Sequence, residues 1–151
     1  MRFLFYDSIT HIEKNKSITG VKSFSLSEEF FRKHYAKKAL VPGVIMIEAM
    51  AQLLGWLVIY SHDFRLSAIM SLVENANVTS TLRPGFTAEI RAELISTSMR
   101  DSLGRAEMLI EGKPIASINR IIFSHIHGVN EDELKKRFAY YSGIAADYHY
   151  A

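Results

Sequence analysis

The longest apolar stretch of this chain runs from Ala39 to Tyr60 and carries a single charged residue, Glu48. Pro42-Gly43 near its start is typical of a helix N-terminus, because a proline in the first turn gives up an N–H that has no helical partner there. The residues that follow are apolar on nearly every side, which predicts a helix buried in a core. The rest of the chain therefore has to fold around this segment.

The same stretch is long enough to be weighed as a membrane span. Glu48 and Gln52 would then lie near the bilayer centre, where a carboxylate costs roughly 2.5–3.5 kcal/mol. The Pro-Gly start also shortens the helical part to about 17 residues, the lower limit for crossing. With 48% hydrophobic and 23% charged residues, the chain has the composition of an ordinary globular domain. We predict a buried core helix and no membrane span.

Composition also narrows the class of protein. A net charge of +2, without long runs of like charge, argues against a nucleic-acid partner. The absence of cysteine excludes disulfides and thiolate chemistry. The first residues, MRFLFYDSIT, reach Asp7 too soon to form the apolar core of a signal peptide. We expect a cytoplasmic protein with a single domain over residues 1–151, without linkers or repeats.

Alternating apolar and polar residues predict six strands, two before the long helix and four after it. They are expected at residues 2–13, 17–26, 66–73, 87–98, 105–110 and 114–123. Turn-forming residues are found at 83–85, 101–104 and 111–113, and the last two sets are expected to close antiparallel hairpins. A short helix is predicted from Ser27 to Phe31, and a surface helix over residues 130–141. One long helix from residue 43 to 60 with mostly downstream antiparallel strands predicts an α+β fold in which the sheet covers the helix.

A histidine precedes the long helix in a basic and aromatic segment: His34 lies 14 residues before Glu48. A neutral imidazole is a suitable base near neutral pH, and a carboxylate among apolar neighbours rarely lacks a partner or a task. Each residue alone has an ordinary explanation, since histidines beside aromatic rings are commonly structural and a helical glutamate can pair with Arg or Lys. Together with the Pro-Gly helix start, they indicate a site for acid–base chemistry.

This pattern resembles the signature of the 3-hydroxyacyl-[acyl-carrier-protein] dehydratases of the FabZ/FabA type. The matching residues are Phe30-Phe31, His34, Val41-Pro42-Gly43-Val44 and Glu48-Ala49-Met50-Ala51-Gln52. A weaker similarity extends over about residues 3–123, which leaves 124–151 as a C-terminal extension, expected to be a helix and a tail. The resemblance implies a hotdog fold, in which an antiparallel β-sheet wraps around a long central α-helix. It also implies a homodimer, or a higher oligomer of dimers, with sites at the interface.

The resemblance implies that His34 removes the proton next to a thioester carbonyl and that Glu48 helps the 3-hydroxyl leave as water, giving a trans-2-enoyl thioester. Such an elimination needs a base on one side and an acid on the other. Unpaired N–H groups around Gly43 would hold the thioester oxygen as charge develops, with Val44 and Gln52 completing the oxyanion and substrate site. The expected substrate is a 3-hydroxyacyl-phosphopantetheine on acyl carrier protein, in fatty acid or related biosynthesis, with no other cofactor.

Four basic residues surround the histidine: Arg32, Lys33, Lys37 and Lys38. One interpretation is a solvated loop. The other is a rim that receives the acidic carrier protein or the phosphate of its phosphopantetheine arm. We favour the rim.

Two further histidines, His125 and His127, alternate near the end of a predicted strand. Alternation would place both on one face, as metal ligands require, but no carboxylate or third histidine follows at a suitable spacing. We expect solvent-exposed histidines and no metal site. Met46, Met50 and Met70 are expected to lie in the core or to line an acyl tunnel.

The segment from Tyr35 to Leu40 departs from the resemblance. Family members have Gly-His-Phe-Pro around the histidine and a further proline before the Pro-Gly, where this chain has Lys33-His34-Tyr35-Ala36 and Ala39. Two alternatives to the dehydratase therefore stay open. One is a hotdog acyl-thioesterase in which Glu48 activates water, and the other is a non-catalytic acyl-binding module. Acyl chain length is not predicted, because tunnel depth depends on packing between separate strands.

Overall fold

The computed structural model describes residues 4–28 and 38–143. Six strands and two helices lie within these ranges: β1 (Ser8–Glu13), β2 (Ser17–Phe24), α1 (Gly43–Ser61), β3 (Ser67–Val78), β4 (Phe86–Thr97), β5 (Asp101–Ile110), β6 (Lys113–Ile126) and α2 (Glu131–Tyr141). His34, Arg32, Lys33 and Lys37 fall outside the described residues, as does most of the short helix predicted after Ser27. The long helix and all six strands therefore correspond to predicted elements, with shifted ends.

The strands form one sheet in the order β1-β2-β4-β5-β6-β3, and every neighbouring pair is antiparallel. The β5–β6 hairpin closes as predicted: Ile110 pairs with Lys113, and Glu111 and Gly112 between them both have positive φ, of 48° and 79°. Two positive φ values are the geometry of the tight hairpin turn whose twist matches the strands. Within the described ranges β3 pairs with β6 alone, so it forms one edge of the sheet.

The antiparallel β4–β5 hairpin is present as predicted, but the position predicted for its turn, residues 101–104, is wrong. β5 begins at Asp101, and the chain reverses just before it, where the Ser98 N–H donates to the Asp101 carbonyl at 2.9 Å. Gly104, which suggested a turn, lies inside the strand because a Cβ there would come within 2.7 Å of Leu54 on α1 and of the Glu93 carbonyl. The glycine is needed for close approach of the sheet to the helix, and not for a turn.

The helix α1 lies in the concave face of the sheet and contacts all six strands. Its residues Leu53, Leu54, Leu57 and Val58 are fully buried, as are Met46 and Met50. By length and composition α1 could cross a membrane, but more than half of it is buried inside the protein. The predicted α+β architecture, with an antiparallel sheet around a central helix, is confirmed.

The second helix, α2, packs against the C-terminal half of α1. Asn130 caps its start by accepting a hydrogen bond from the Glu133 N–H at 3.1 Å. Phe138 is 1% exposed, and its ring packs against those of Trp56, Tyr60 and Phe64. The predicted helix is therefore present, but one of its faces is buried in a cluster of aromatic rings.

Candidate active site

Glu48 lies a turn and a half into α1, half-buried, with its carboxylate held by the next turn of the helix. Gln52 Nε2 donates to Glu48 Oε1 at 3.0 Å, and Gln52 Oε1 accepts from the Phe5 backbone N–H at 2.9 Å. Because the Phe5 N–H can only donate, it fixes which end of the amide faces Glu48. The structure thus brings together two of the predicted site residues, Glu48 and Gln52, and orients the carboxylate.

A cavity of about 240 Å³ opens beside this carboxylate. One wall is a single face of α1, formed by Glu48, Ala51, Gln52, Gly55, Trp56 and Ile59, and the remaining lining residues are Leu4, Tyr6, Ala68, Met70 and Phe123. Positions 48 to 59 span about 16 Å of helix. Glu48 and Gln52 lie at one end of this face, and apart from the Tyr6 hydroxyl and the Trp56 indole the rest of the lining is apolar. This arrangement suits a ligand that has a reactive polar head and an apolar tail.

Small residues give the cavity its width. Ala51 and Gly55 lie on the helix wall and Ala68 on β3. A Cβ built on Gly55 would lie 3.6 Å from the ring of Phe123, which is an ordinary van der Waals distance. The glycine therefore leaves space that a methyl group would fill without a clash.

Tyr6 is a lining residue that sequence reasoning missed as part of the site. Its side chain is 2% exposed, and burial raises the pKa of Tyr6 to about 12. The neighbouring Trp56 side chain counters part of this rise, although among the described residues the hydroxyl has no partner in hydrogen-bond geometry. Tyr6 is thus a neutral hydroxyl inside an apolar wall. Its position depends on contacts between distant segments, so no local pattern marks it.

The start of α1 carries backbone N–H groups that have no i−4 partner within the helix. Pro42 occupies the N-cap position, makes no side-chain cap, and is followed by a first turn without acidic residues. Gly43 and Val44 supply the first helical N–H groups, at the positive end of the helix dipole. A Cβ on Gly43 would lie 2.6 Å from Val78 Cγ2, so glycine allows β3 to pack against the helix start. The structure places both predicted oxyanion residues about a turn from Glu48.

Of the predicted basic rim, Lys38 lies within the described residues and is exposed. It precedes a segment anchored by the Val41 N–H, which donates to the Leu82 carbonyl at 2.8 Å. Arg32, Lys33 and Lys37 lie outside the described ranges together with His34.

The expectation of two solvent-exposed histidines is wrong for His125. His62 Nε2 hydrogen-bonds Thr97 Oγ1 at 2.6 Å, Thr97 hydrogen-bonds Ser102 at 2.7 Å, and Ser102 hydrogen-bonds His125 Nε2 at 2.7 Å. Burial lowers the pKa of His62 and of His125, and the proximity of His125 adds to the effect on His62. His127 is exposed, as expected. In the described part of the chain no three His, Asp or Glu residues are grouped to hold a metal.

Comparisons with known proteins agree with this geometry. A family model described as a FabA-like domain matches residues 1–119. A relative from Rickettsia bellii (strain RML369-C), named 3-hydroxyacyl-[acyl-carrier-protein] dehydratase FabZ, is 36% identical over 94 residues, which are 61% of this chain and 65% of that protein. A relative of the same name from Bacillus thuringiensis (strain Al Hakam) is 31% identical over 118 residues, which are 78% of this chain and 76% of that protein. The chain thus spans slightly less than two thirds of the Rickettsia relative.

Solved structures share the fold at low sequence identity. The dehydratase heterocomplex ApeI:P from Xenorhabdus doucetiae has a TM-score of 0.68 at 12% identity, covering 90% of this chain and 90% of that chain. Thioesterase HI1161 from Haemophilus influenzae has a TM-score of 0.62 at 13% identity, covering 81% and 79%. These likenesses confirm the predicted hotdog fold. Because both a dehydratase and a thioesterase share it, the fold alone does not select the reaction.

Proposed function

Because the chain belongs to the FabA-like domain family, we propose that it dehydrates a 3-hydroxyacyl thioester on acyl carrier protein to the trans-2-enoyl thioester. The names of the curated relatives support this reaction over thioester hydrolysis. The observation that carries the proposal is the Glu48 carboxylate, held by Gln52 at the polar end of a largely apolar cavity.

Glu48 is the acid in this proposal. The Gln52 Nε2 group can only donate, so Glu48 Oε1 must accept its hydrogen bond. The proton of the acid then belongs on Oε2, which has no partner among the described residues and is available to the substrate. From there it passes to the departing 3-hydroxyl, as general acid catalysis requires.

His34 is the base, proposed from its 14-residue separation from Glu48 and its family-like setting. Its neutral imidazole takes the proton from C2 of the substrate. The electron pair of that C–H bond forms the C2–C3 double bond as the C3–O bond breaks, and the hydroxyl leaves as water with the proton from Glu48. The backbone N–H groups of Gly43 and Val44 stabilise the negative charge that develops on the thioester oxygen.

The active form is a homodimer in this proposal. Strand β3 lies at the edge of the sheet and exposes Ile69, Leu72 and Val78, and an apolar edge of this kind favours pairing with another strand. Met70 on the same strand lines the cavity and is 37% exposed, so the cavity opens towards this edge. A second copy docked along β3 would complete the wall and bring its own His34 to the site.

The dimer is tested by light scattering with size-exclusion chromatography. Leu72→Lys places a charge on the exposed edge and is expected to give a monomer with little dehydratase activity. A monomeric and fully active wild-type protein would exclude a shared site.

The carrier protein is proposed to dock at the basic rim formed by Arg32, Lys33, Lys37 and Lys38. An acidic partner would be steered there by charge, which makes the effect sensitive to salt. Replacing two of these four basic side chains by neutral ones should raise KM for the carrier-bound substrate. The same change should leave KM for a small pantetheine thioester unchanged. We place the reaction in the cytoplasm, within fatty acid or related acyl-chain biosynthesis.

The reaction is tested by following enoyl absorbance with a 3-hydroxyacyl-pantetheine substrate. His34→Ala and Glu48→Gln should each lower kcat by about 10²–10⁴-fold, the contribution typical of a positioned acid or base. Glu111→Gln, the same change on an exposed hairpin turn, is the control and should retain wild-type activity. Full activity in both site variants would refute the assignment. Release of free thiol without enoyl formation would identify a thioesterase instead.

A further inference from the structure

One of the residues that line the cavity, Trp56, packs against a second aromatic ring, that of Phe138. Glu48 lies at one end of the helix face that lines it, and Trp56 and Ile59 lie at the other. The indole of Trp56 packs against the ring of Phe138, with centroids 5.5 Å apart and planes at 60°. Phe138 is buried and does not itself line the cavity. It therefore contacts Trp56 from outside the cavity.

Phe138 is held firmly by the rest of the protein. Its ring also packs on Tyr60 and Phe64, with centroids 5.7 Å and 5.5 Å away. After α2, the Ser142 N–H donates to the Phe138 carbonyl at 2.8 Å, and the Ser142 carbonyl accepts from the Ile9 N–H of β1 at 2.6 Å. Helix α2 is thus tied to β1 through Ser142 and to α1 through Phe138. A ring supported in this way resists displacement by a ligand.

Helix α2 lies beyond residues 1–119, the part that the family model matches. The support behind Trp56 therefore comes from the C-terminal extension of this chain. If the extension were removed, Trp56 would lose the ring that packs on its outer side and would be free to turn away.

We propose that α2 limits the acyl chain length of the substrate by holding Trp56, through Phe138, as the floor of the cavity. Trp56 is the specificity-determining residue, and Phe138 is a positioning residue that acts through it. This inference rests on the proposed function. The helix face between Glu48 and Trp56 spans about 12 Å, which is close to the extended length of a medium acyl chain. The substrate class is therefore short- and medium-chain 3-hydroxyacyl thioesters.

The test is a panel of 3-hydroxyacyl-pantetheine substrates of increasing chain length, with kcat/KM measured for each. The wild-type value should fall steeply above the medium chains, since one methylene too many in a hydrophobic pocket costs about 10–200-fold. Phe138→Ala and Trp56→Ala should raise the ratio of long-chain to short-chain kcat/KM by about tenfold or more. The control is Tyr140→Ala on the same helix, an aromatic residue that is 60% exposed, and it should leave the ratio unchanged.

Phe138→Leu serves as a milder variant if Phe138→Ala does not fold, because it keeps an apolar contact with a smaller side chain. A loss that is equal for all chain lengths would mean that Phe138 supports stability only, and would overturn the inference. A wild-type protein that prefers the longest chain would also overturn the inference.

A binding measurement separates this inference from the proposed reaction. Titration calorimetry with saturated acyl-pantetheine thioesters needs no turnover. Suppose that no substrate is dehydrated, but affinity still peaks at medium chains and the preferred chain length shifts in Trp56→Ala. Trp56 then limits chain length, and the proposed reaction is wrong. If dehydration occurs and Trp56→Ala changes neither affinity nor kcat/KM, Trp56 does not limit chain length and the proposed reaction is retained.

Discussion

The two halves of α1 differ in what covers them. The first half carries the N–H groups of the helix start, the Glu48 carboxylate and a face that opens towards the edge strand β3. The second half is packed against α2, where the Phe138 ring contacts those of Trp56 and Tyr60. A reacting group needs access and free polar atoms, whereas a size limit needs a wall that does not move. One helix supplies both because its two ends have different neighbours.

The largest effect on stability is expected in the packed half. Phe138→Ala removes a fully buried ring and should lower the free energy of unfolding by about 3–5 kcal/mol. Val44→Ala, at the exposed start of the same helix, should change it by less than about 0.5 kcal/mol. Urea denaturation of both variants measures the contrast. Equal losses would break the distinction between an open end and a packed end.

The next effect is expected on catalysis in the open half. Gln52→Leu keeps the size of the side chain but removes the donor that orients Glu48 and the acceptor of the Phe5 N–H. Misplacing a catalytic group by about 1 Å costs on the order of 10²-fold, so kcat should fall by about that factor. Steady-state enoyl formation measures it, and adding Gln52→Leu to Glu48→Gln should cause little further loss. Independent, additive losses would show that Gln52 acts apart from Glu48.

A smaller change is expected at Gly55, where the two halves meet. Gly55→Ala should stabilise the helix by roughly 0.5–1 kcal/mol, since glycine is unfavourable in a helix interior. The new methyl group fits at 3.6 Å from Phe123 and occupies space in the cavity. We therefore expect a higher Tm together with weaker turnover of the longest chains that the wild type accepts. A gain in stability with an unchanged chain-length profile would mean that acyl chains do not pass Gly55.

The sequence predicted the open half better than the packed half for a physical reason. Glu48 is conspicuous as the lone charge in an apolar segment, and its spacing from His34 is readable along the chain. Trp56 and Phe138 are separated by 82 residues, and only folding brings their rings together. Aromatic residues at helical spacing predict burial, but not which other rings they meet. The depth of the cavity was therefore unpredictable, while its polar end was not.

Glycine caused the clearest error in the fold. Asp101 and Gly104 have the composition of a turn, yet they lie in β5 because the sheet must approach Leu54 closely. Residues Glu111 and Gly112 have the same composition and do form a turn. A local pattern cannot separate the two cases, because the need for space comes from a helix that is distant in sequence.

The mildest effect is expected far from Glu48, where His62 follows the last turn of α1. Its ring lies 5.0 Å from that of His125, and the pKa of each is lowered from the ordinary value of 6.5, chiefly by burial. The unfolded chain therefore binds protons at these sites more readily than the folded protein does. It follows that their contribution to stability is fully present above pH 6.5 and is lost as the pH falls towards the folded pKa values. Solvent screening keeps the effect small, because both rings are only partly buried.

The measurement is the free energy of unfolding by urea between pH 8 and 5. The wild type should lose stability as the pH falls below about 6.5, and His62→Gln, which keeps a polar partner for Thr97, should show a shallower decline. His127→Gln is the matched control, because His127 is exposed and should leave the slope unchanged. Dehydratase activity of His62→Gln at pH 8 should equal that of the wild type, since Glu48 lies at the other end of the helix. A large loss of activity in His62→Gln would mean that the two ends of α1 are coupled. It would contradict the view that each half of the helix has its own role.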